Sequence, residues 1–196
     1  MTILYAGIGS RQTPPDVLAY MKHVAGRLVA GGYVLRSGAA EGADKAFEEG
    51  CLSVKGPAEI WLPWRGFNGH RDTGLYPSDA HFEKASELHP NWAYLGRGPR
   101  ALHARNVGQV LGADLQTPVA FVVCWTADGC EMEATRNRDT GGTGTAIALA
   151  SRMDIPVYNL QNRDARERLV AHVRYLHENR AVEPKNKNEA SDDQRN

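Results

Sequence analysis

Two hydrophobic patterns alternate along the chain. Short continuous apolar runs cover Ile3–Gly7, Tyr33–Arg36, Glu59–Leu62, Pro118–Trp125 and Pro156–Leu160. Runs of that length, bounded by turn residues, predict buried strands. Between them, apolar residues return every three or four positions, as at Val17, Leu18, Met21, Val24, Ala25 and Leu28. That spacing predicts a helix, with Thr13 as its cap, Pro14 in its first turn and Gly31-Gly32 as its stop. Further helices are predicted over Lys45–Cys51, Ala80–Leu88, Pro99–Gly112, Thr145–Met153 and Arg163–Glu178. The stretch 63–90 is richer in turn residues and breaks the rhythm. Strands alternating with helices predict an α/β fold: a three-layer α/β/α sandwich on a mostly parallel sheet. One domain is expected over 1–179, followed by a disordered Pro/Lys/Asn/Glu-rich tail over 180–196.

Composition narrows the function. The 196 residues carry 23 Lys+Arg against 23 Asp+Glu. A net charge of zero excludes a protein that coats nucleic acid or anionic membrane by bulk charge, and leaves room for a local basic site. Arginine supplies 17 of the 23 cations, and its planar fork matches phosphate and carboxylate. No apolar run approaches the ~20 residues that span a bilayer. Met1–Tyr5 runs straight into a strand without a basic leader, so a cytoplasmic location and no membrane partner are expected. Cys51, Cys124 and Cys130 are odd in number and lack CxxC spacing, which fits a reducing compartment and no structural zinc. The histidines are too widely spaced for a metal set. No cofactor is called for, and neither a Ser/His/Asp arrangement nor a GxSxG elbow is present.

Candidate chemistry gathers in three Gly-rich strand-to-helix turns. In open α/β sheets ligands bind outside the carboxyl edge, where such turns lie. Gly9-Ser10-Arg11 offers backbone N–H groups and a cation to a phosphate, although a tight turn needs the same glycine. Ser37-Gly38-Ala39 leads through Glu41 and Gly42 to Asp44. Asp44 either answers the helix dipole or accepts hydrogen bonds from a ribose or base. Gly141-Gly142-Thr143-Gly144-Thr145 offers N–H and O–H donors in a short arc. No lysine follows it, so it is not a Walker loop. Arg100, Arg105 and Asn106 fall on the Pro99–Gly112 helix. An arginine and an asparagine amid Ala101, Leu102, Val107, Val110 and Leu111 need partners, because an unpaired buried charge is costly. Trp64 and Trp125, just past strand ends, are candidates to stack on a base.

Taken in order, these segments resemble the SLOG superfamily, the Rossmann-like domains shared by the DNA-processing protein A (Smf) family and the lonely-guy (LOG) phosphoribohydrolases. The resemblance covers about residues 2–160. The DNA-processing branch implies a single-stranded-DNA binder, through a GSR turn, an SGxAxGxD segment and an Arg-Asn pair. The LOG branch implies hydrolysis of a nucleotide N-glycosidic bond by a glutamate and a helix arginine. Arg105 matches that arginine, while Ala148 stands at the glutamate's position, so Asp44, Glu131 and Glu133 are the remaining carboxylate candidates. Three readings follow: a nucleotide or nucleic-acid phosphate binder, a LOG-like N-glycosidase, and a partner-binding protein with a vestigial pocket. The expected ligand is a nucleotide or nucleotide-derived molecule, or single-stranded DNA. A homodimer is expected through the Ala/Leu/Val-rich helices Pro99–Gly112 and Thr145–Met153.

Overall fold

The computed structural model describes residues 2–180, so the expected disordered tail, apart from the helical Arg180, lies outside the described residues. All the predicted strands and helices form, with ends displaced by a few residues. In chain order they are β1 (Ile3–Gly7), α1 (Pro15–Ala30), β2 (Tyr33–Ser37), α2 (Ala43–Ser53), β3 (Ala58–Ile60), α3 (Asp79–Leu88), α4 (Arg97–Leu111), β4 (Phe121–Cys124), α5 (Gly144–Arg152), β5 (Val157–Asn159) and α6 (Ala165–Arg180). The sheet order is β3-β2-β1-β4-β5, and every pairing is parallel. This is the expected Rossmann-like α/β fold.

Strand periodicity sorts the core into two layers, because successive side chains leave a strand on opposite faces. Tyr5, Leu35, Phe121 and Val123 pack with Val17, Met21 and Leu28 of α1, Phe47 of α2 and Leu169 of α6. Ala6, Val122, Cys124 and Val157 face the other way, onto Leu88 of α3, Val107 and Val110 of α4 and Ile147 of α5. Both faces of the sheet are therefore covered, which is why β4 is apolar at all four positions.

Two expectations are corrected. Thr13 does not cap α1. Its hydroxyl donates to the Ser10 carbonyl at 2.7 Å, and Pro14 is the capping residue without a side-chain bond. The same carbonyl also accepts the Ala43 N–H at 3.3 Å, so it joins the first two strand-to-helix turns and draws the hydroxyl inward. The apolar faces assigned to a dimer are not free. Ala104, Val107, Val110, Ala146, Ile147 and Ala148 are fully buried within one chain, under the sheet and α3. Among the described residues no helix is long and apolar enough to cross a membrane.

Strand order decides where a ligand can enter. From β1 the chain moves outward to β2 and β3, then returns to the other side of β1 with β4 and β5. The reversal opens a crevice at the carboxyl ends of β1 and β4.

Candidate functional site

A cavity of about 560 Å³ lies at that reversal, within the ~300–1,000 Å³ usual for small-ligand sites. The β1 turn contributes Gly9, Ser10 and Arg11. The β2 turn contributes Ala40 and Asp44. Helix α4 contributes His103, Arg105, Asn106 and Gln109, and the segment before α5 contributes Arg138 to Thr143. The first and third Gly-rich turns thus face one another across a single crevice. A larger groove of about 730 Å³ runs between α1 and α6 at the opposite edge, by the start of β2, and none of these turns reaches it.

The floor is one buried polar cluster. Asp44 sits in the first turn of α2 and is 2% exposed. Its Oδ1 accepts the Gly9 N–H at 3.1 Å, and its Oδ2 accepts from Arg105 Nη1 at 2.7 Å. The Gln109 amide closes the cluster. Its oxygen accepts from Gly38 N and Arg105 Nη1, both at 3.0 Å, and its nitrogen donates to Asn106 Oδ1 at 3.1 Å. That orientation pairs donors with acceptors, where the reverse offers a long 3.4 Å bond to Asp44. Burial pushes the Asp44 carboxyl above the ordinary range, against the pull of the Arg105 guanidinium and the Gly9 N–H. So Asp44 neither serves the helix dipole alone nor waits for a ribose. It binds the first turn, the second turn and α4 together.

Close approach explains two of the glycines. A Cβ at Gly38 would lie 1.4 Å from Arg105 Nη1, so Gly38 is the clearance that lets the guanidinium reach Asp44. A Cβ at Gly9 would stand 2.8 Å from the Ala43 Cβ and 3.0 Å from the Trp125 backbone. The ends of β1 and β4 and the start of α2 meet there without room for a side chain.

Helix α4 also fixes the third turn. Asn106 Nδ2 donates to the Gly142 carbonyl at 2.8 Å. Behind that turn, Thr140 donates to Asp128, and Asp128 accepts from Thr126 at 2.7 Å. Asn159 of β5 donates to Thr126 Oγ1 at 2.6 Å and to the Cys130 carbonyl at 2.9 Å. The loop after β4 is therefore held by a hydrogen-bonded network, although it contains no helix longer than a 3-10 turn before α5.

The remaining candidates divide. Arg11 is exposed at the mouth and makes no ion pair among the described residues. Arg138 does the same on the opposite wall. Arg105 is 5% exposed, and its Nε has no hydrogen-bond partner. Gly38 joins the cluster through its N–H, while Ser37 and Ala39 lie behind it. Ser37 donates to the Gly7 carbonyl at 2.7 Å, and Ala39 accepts from Asn68 at 2.9 Å. Arg100 leaves the crevice: its Nη2 donates to the Trp92 and Ala93 carbonyls at 3.2 and 3.1 Å. Five helical residues separate it from Arg105, about 140° of rotation, so the two face different surroundings. Glu131 is held by Arg168 at 2.7 Å, and Glu133 by Arg152 at 2.7 Å. Neither carboxylate lines the crevice. Gly144 and Thr145 line an adjoining recess instead. Trp125 is buried and donates to Gln161 at 3.0 Å, while Trp64 packs edge-on against Phe67 at 5.2 Å. Neither tryptophan lines the crevice.

Several lining residues were not legible in the pattern. Gln109 follows Arg105 by one helical turn, which is the one signal that marked it. Arg138 precedes the glycine run in a loop that gave no periodic cue, and His103 stood among unrelated histidines. Among the described residues no three His, Cys, Asp or Glu side chains gather as a metal site.

No family model and no curated protein matches the chain. Among solved structures the chain is similar to DNA processing protein A from Helicobacter pylori, described for its single-stranded DNA binding mode. The TM-score is 0.48 at 17% identity, over 91% of this chain and 80% of that one.

Proposed function

We propose that this protein binds a phosphorylated nucleotide, free or within a nucleic-acid strand, in the β1/β4 crevice and does not cleave it. The observation that carries the reading is the convergence of three arginines on one crevice, the buried Arg105 at its floor with Arg11 and Arg138 on its walls. Arg11 and Arg138 flank it without ion pairs, and the backbone of two Gly-rich turns faces the same space. A chain of zero net charge concentrates three arginines there against Asp44 and Asp139. Arginine binds phosphate in bidentate fashion.

The hydrolytic reading is weaker on the same ground. Ala148, at the position of the LOG glutamate, is fully buried within α5. Glu131 and Glu133 are bound elsewhere by arginines, and Asp44 is committed to Arg105 and Gly9. That leaves Asp139 as the one uncommitted carboxylate on the crevice wall, and glycosidic cleavage needs a carboxylate placed against the departing base or the attacking water.

The test is thermal denaturation with dTMP, AMP and a 5′-phosphorylated oligothymidylate, each beside its unphosphorylated counterpart. A ligand at 100 times its Kd stabilises by about 2.7 kcal/mol. At ~2–4 °C per kcal/mol for this chain length, the melting temperature rises ~5–11 °C. Unphosphorylated nucleosides leave it unchanged. Three or four neutralised phosphates give a log Kd against log salt slope near 2–3 in magnitude, at ~0.7 per single-strand contact. Absence of a shift with every phosphorylated ligand at millimolar concentration overturns the reading.

A further inference from the structure

Beside the crevice lies a second recess of about 540 Å³, which shares His103, Arg138, Gly141 and Gly142 with the first cavity. Its own wall is His89 from the end of α3, Arg136 from the loop after β4, and Thr145 of α5. The His89 and His103 rings stand 4.4 Å apart, centre to centre. No lining residue carries a carboxylate. Arg136 donates to the Gly144 carbonyl at 3.3 Å and makes no ion pair among the described residues.

The ring nitrogens have defined roles. The Asn91 N–H donates to His89 Nδ1 at 3.2 Å, so in the neutral ring the proton sits on Nε2, as a donor. His103 Nδ1 is hydrogen-bonded to the Thr145 hydroxyl at 2.8 Å. That pairing occupies one nitrogen of His103 and leaves Nε2 for another partner.

Resting on the nucleotide-binding reading, we propose that this recess is a second phosphoryl subsite, so that the protein takes ligands bearing two phosphoryl groups, one in each cavity, and takes up a proton at His103 as the second group seats. The acceptor that is missing from the wall is what a phosphoryl oxygen supplies, to His89 Nε2–H and to the Arg136 fork. His103 faces His89, Arg105 and Arg136, with Arg138 on the shared wall. Burial first, then His89 and the Arg105 and Arg136 guanidinium groups, lower its pKa to about 4, and burial with Arg136 also lowers that of His89. Both imidazoles are therefore neutral at pH 7 while the recess is empty. An anion reverses the sign of the local field and favours the imidazolium.

Two sources carry such a pair of phosphoryl groups: a single nucleoside bisphosphate and successive linkages of a strand. The probes are dTMP, thymidine 3′,5′-bisphosphate (pdTp) and the dinucleotide pdTpdT, titrated calorimetrically from pH 5.5 to 7.5 in buffers of different ionisation enthalpy. In the wild type at least one of pdTp and pdTpdT binds tenfold or more tighter than dTMP, with extra proton uptake, and the one that gains identifies the source. Arg136→Gln and His89→Gln each remove that advantage and leave dTMP binding as it was. The two variants are independent, so a loop disturbed by loss of Arg136 does not decide the outcome. Equal affinity and equal proton uptake for all three probes overturns the second subsite while the nucleotide reading stands. Failure of dTMP, pdTp and pdTpdT alike overturns both.

Discussion

Arg105→Met tests the buried pair at the centre of the site. The substitution keeps an apolar stem of similar reach and removes the guanidinium. The side chains of Arg105 and Asp44 are 7% and 3% exposed, and their bond is 2.7 Å long. The variant leaves Asp44 with the Gly9 N–H at 3.1 Å as its sole strong donor. Breaking a buried ion pair from one side costs ~3–5 kcal/mol, because the surviving charge stays buried. That is a large share of the ~5–15 kcal/mol that holds a domain folded. At ~2–4 °C per kcal/mol, the expected fall in Tm at pH 7 is ~6–20 °C. Circular dichroism melts measure it directly. The deficit shrinks as pH falls, because burial raises the carboxyl's pKa and the orphaned group can take a proton and cease to be a buried charge. Arg105→Met with Asp44→Leu removes both charges and recovers part of the loss, leaving ~1–3 kcal/mol for the unpaired Gly9 N–H. A single-variant fall below ~3 °C, or a double variant no better than the single, refutes the assignment of Asp44 and Arg105 as a structural pair.

Three further outcomes are expected. Gly38→Ala places a methyl 1.4 Å from Arg105 Nη1, so the guanidinium is displaced and the melt falls by ~1–3 kcal/mol of stability, despite the small added volume; an unchanged Tm contradicts the close packing. Arg11→Gln removes an exposed cation without an ion pair, so ligand binding weakens by ~1.5–3 kcal/mol with no change in Tm, and equal affinity by calorimetry removes Arg11 from the site. The pKa of His103 is lowered to about 4 in the fold, below the ~6.5 of an unfolded chain. The unfolded state then binds the proton first as pH falls, so this stability is complete above pH 6.5 and drains away toward pH 4, by up to about 3 kcal/mol. Urea denaturation across that window checks it, and His103→Gln should flatten the slope; an unaltered slope assigns the acid sensitivity to another group.

The alternation of apolar runs and helical spacing was enough to place the strands and helices, because burial on both sheet faces leaves a signal at every position of β4 and at each inward position of α1. The three Gly-rich turns were readable for the same reason: a chain leaving a strand for a helix at a crowded edge must be small there. What each turn does was not readable. Gly38 serves a guanidinium that arrives from α4, 67 positions later. The partner of Arg105 lies 61 residues away, and local pattern holds no trace of a contact made by folding. Helical spacing puts Arg100 and Arg105 on different faces, but only the folded neighbours show that Arg100 turns to the Trp92 and Ala93 carbonyls while Arg105 turns to Asp44. Ala-rich α4 and α5 suggested an interface between copies. Periodicity reports that a face is buried, not what buries it, and the sheet with α3 proved sufficient. The second recess had no sequence signal, since His89, His103, Arg136 and Thr145 come from four segments and share a wall through tertiary packing alone.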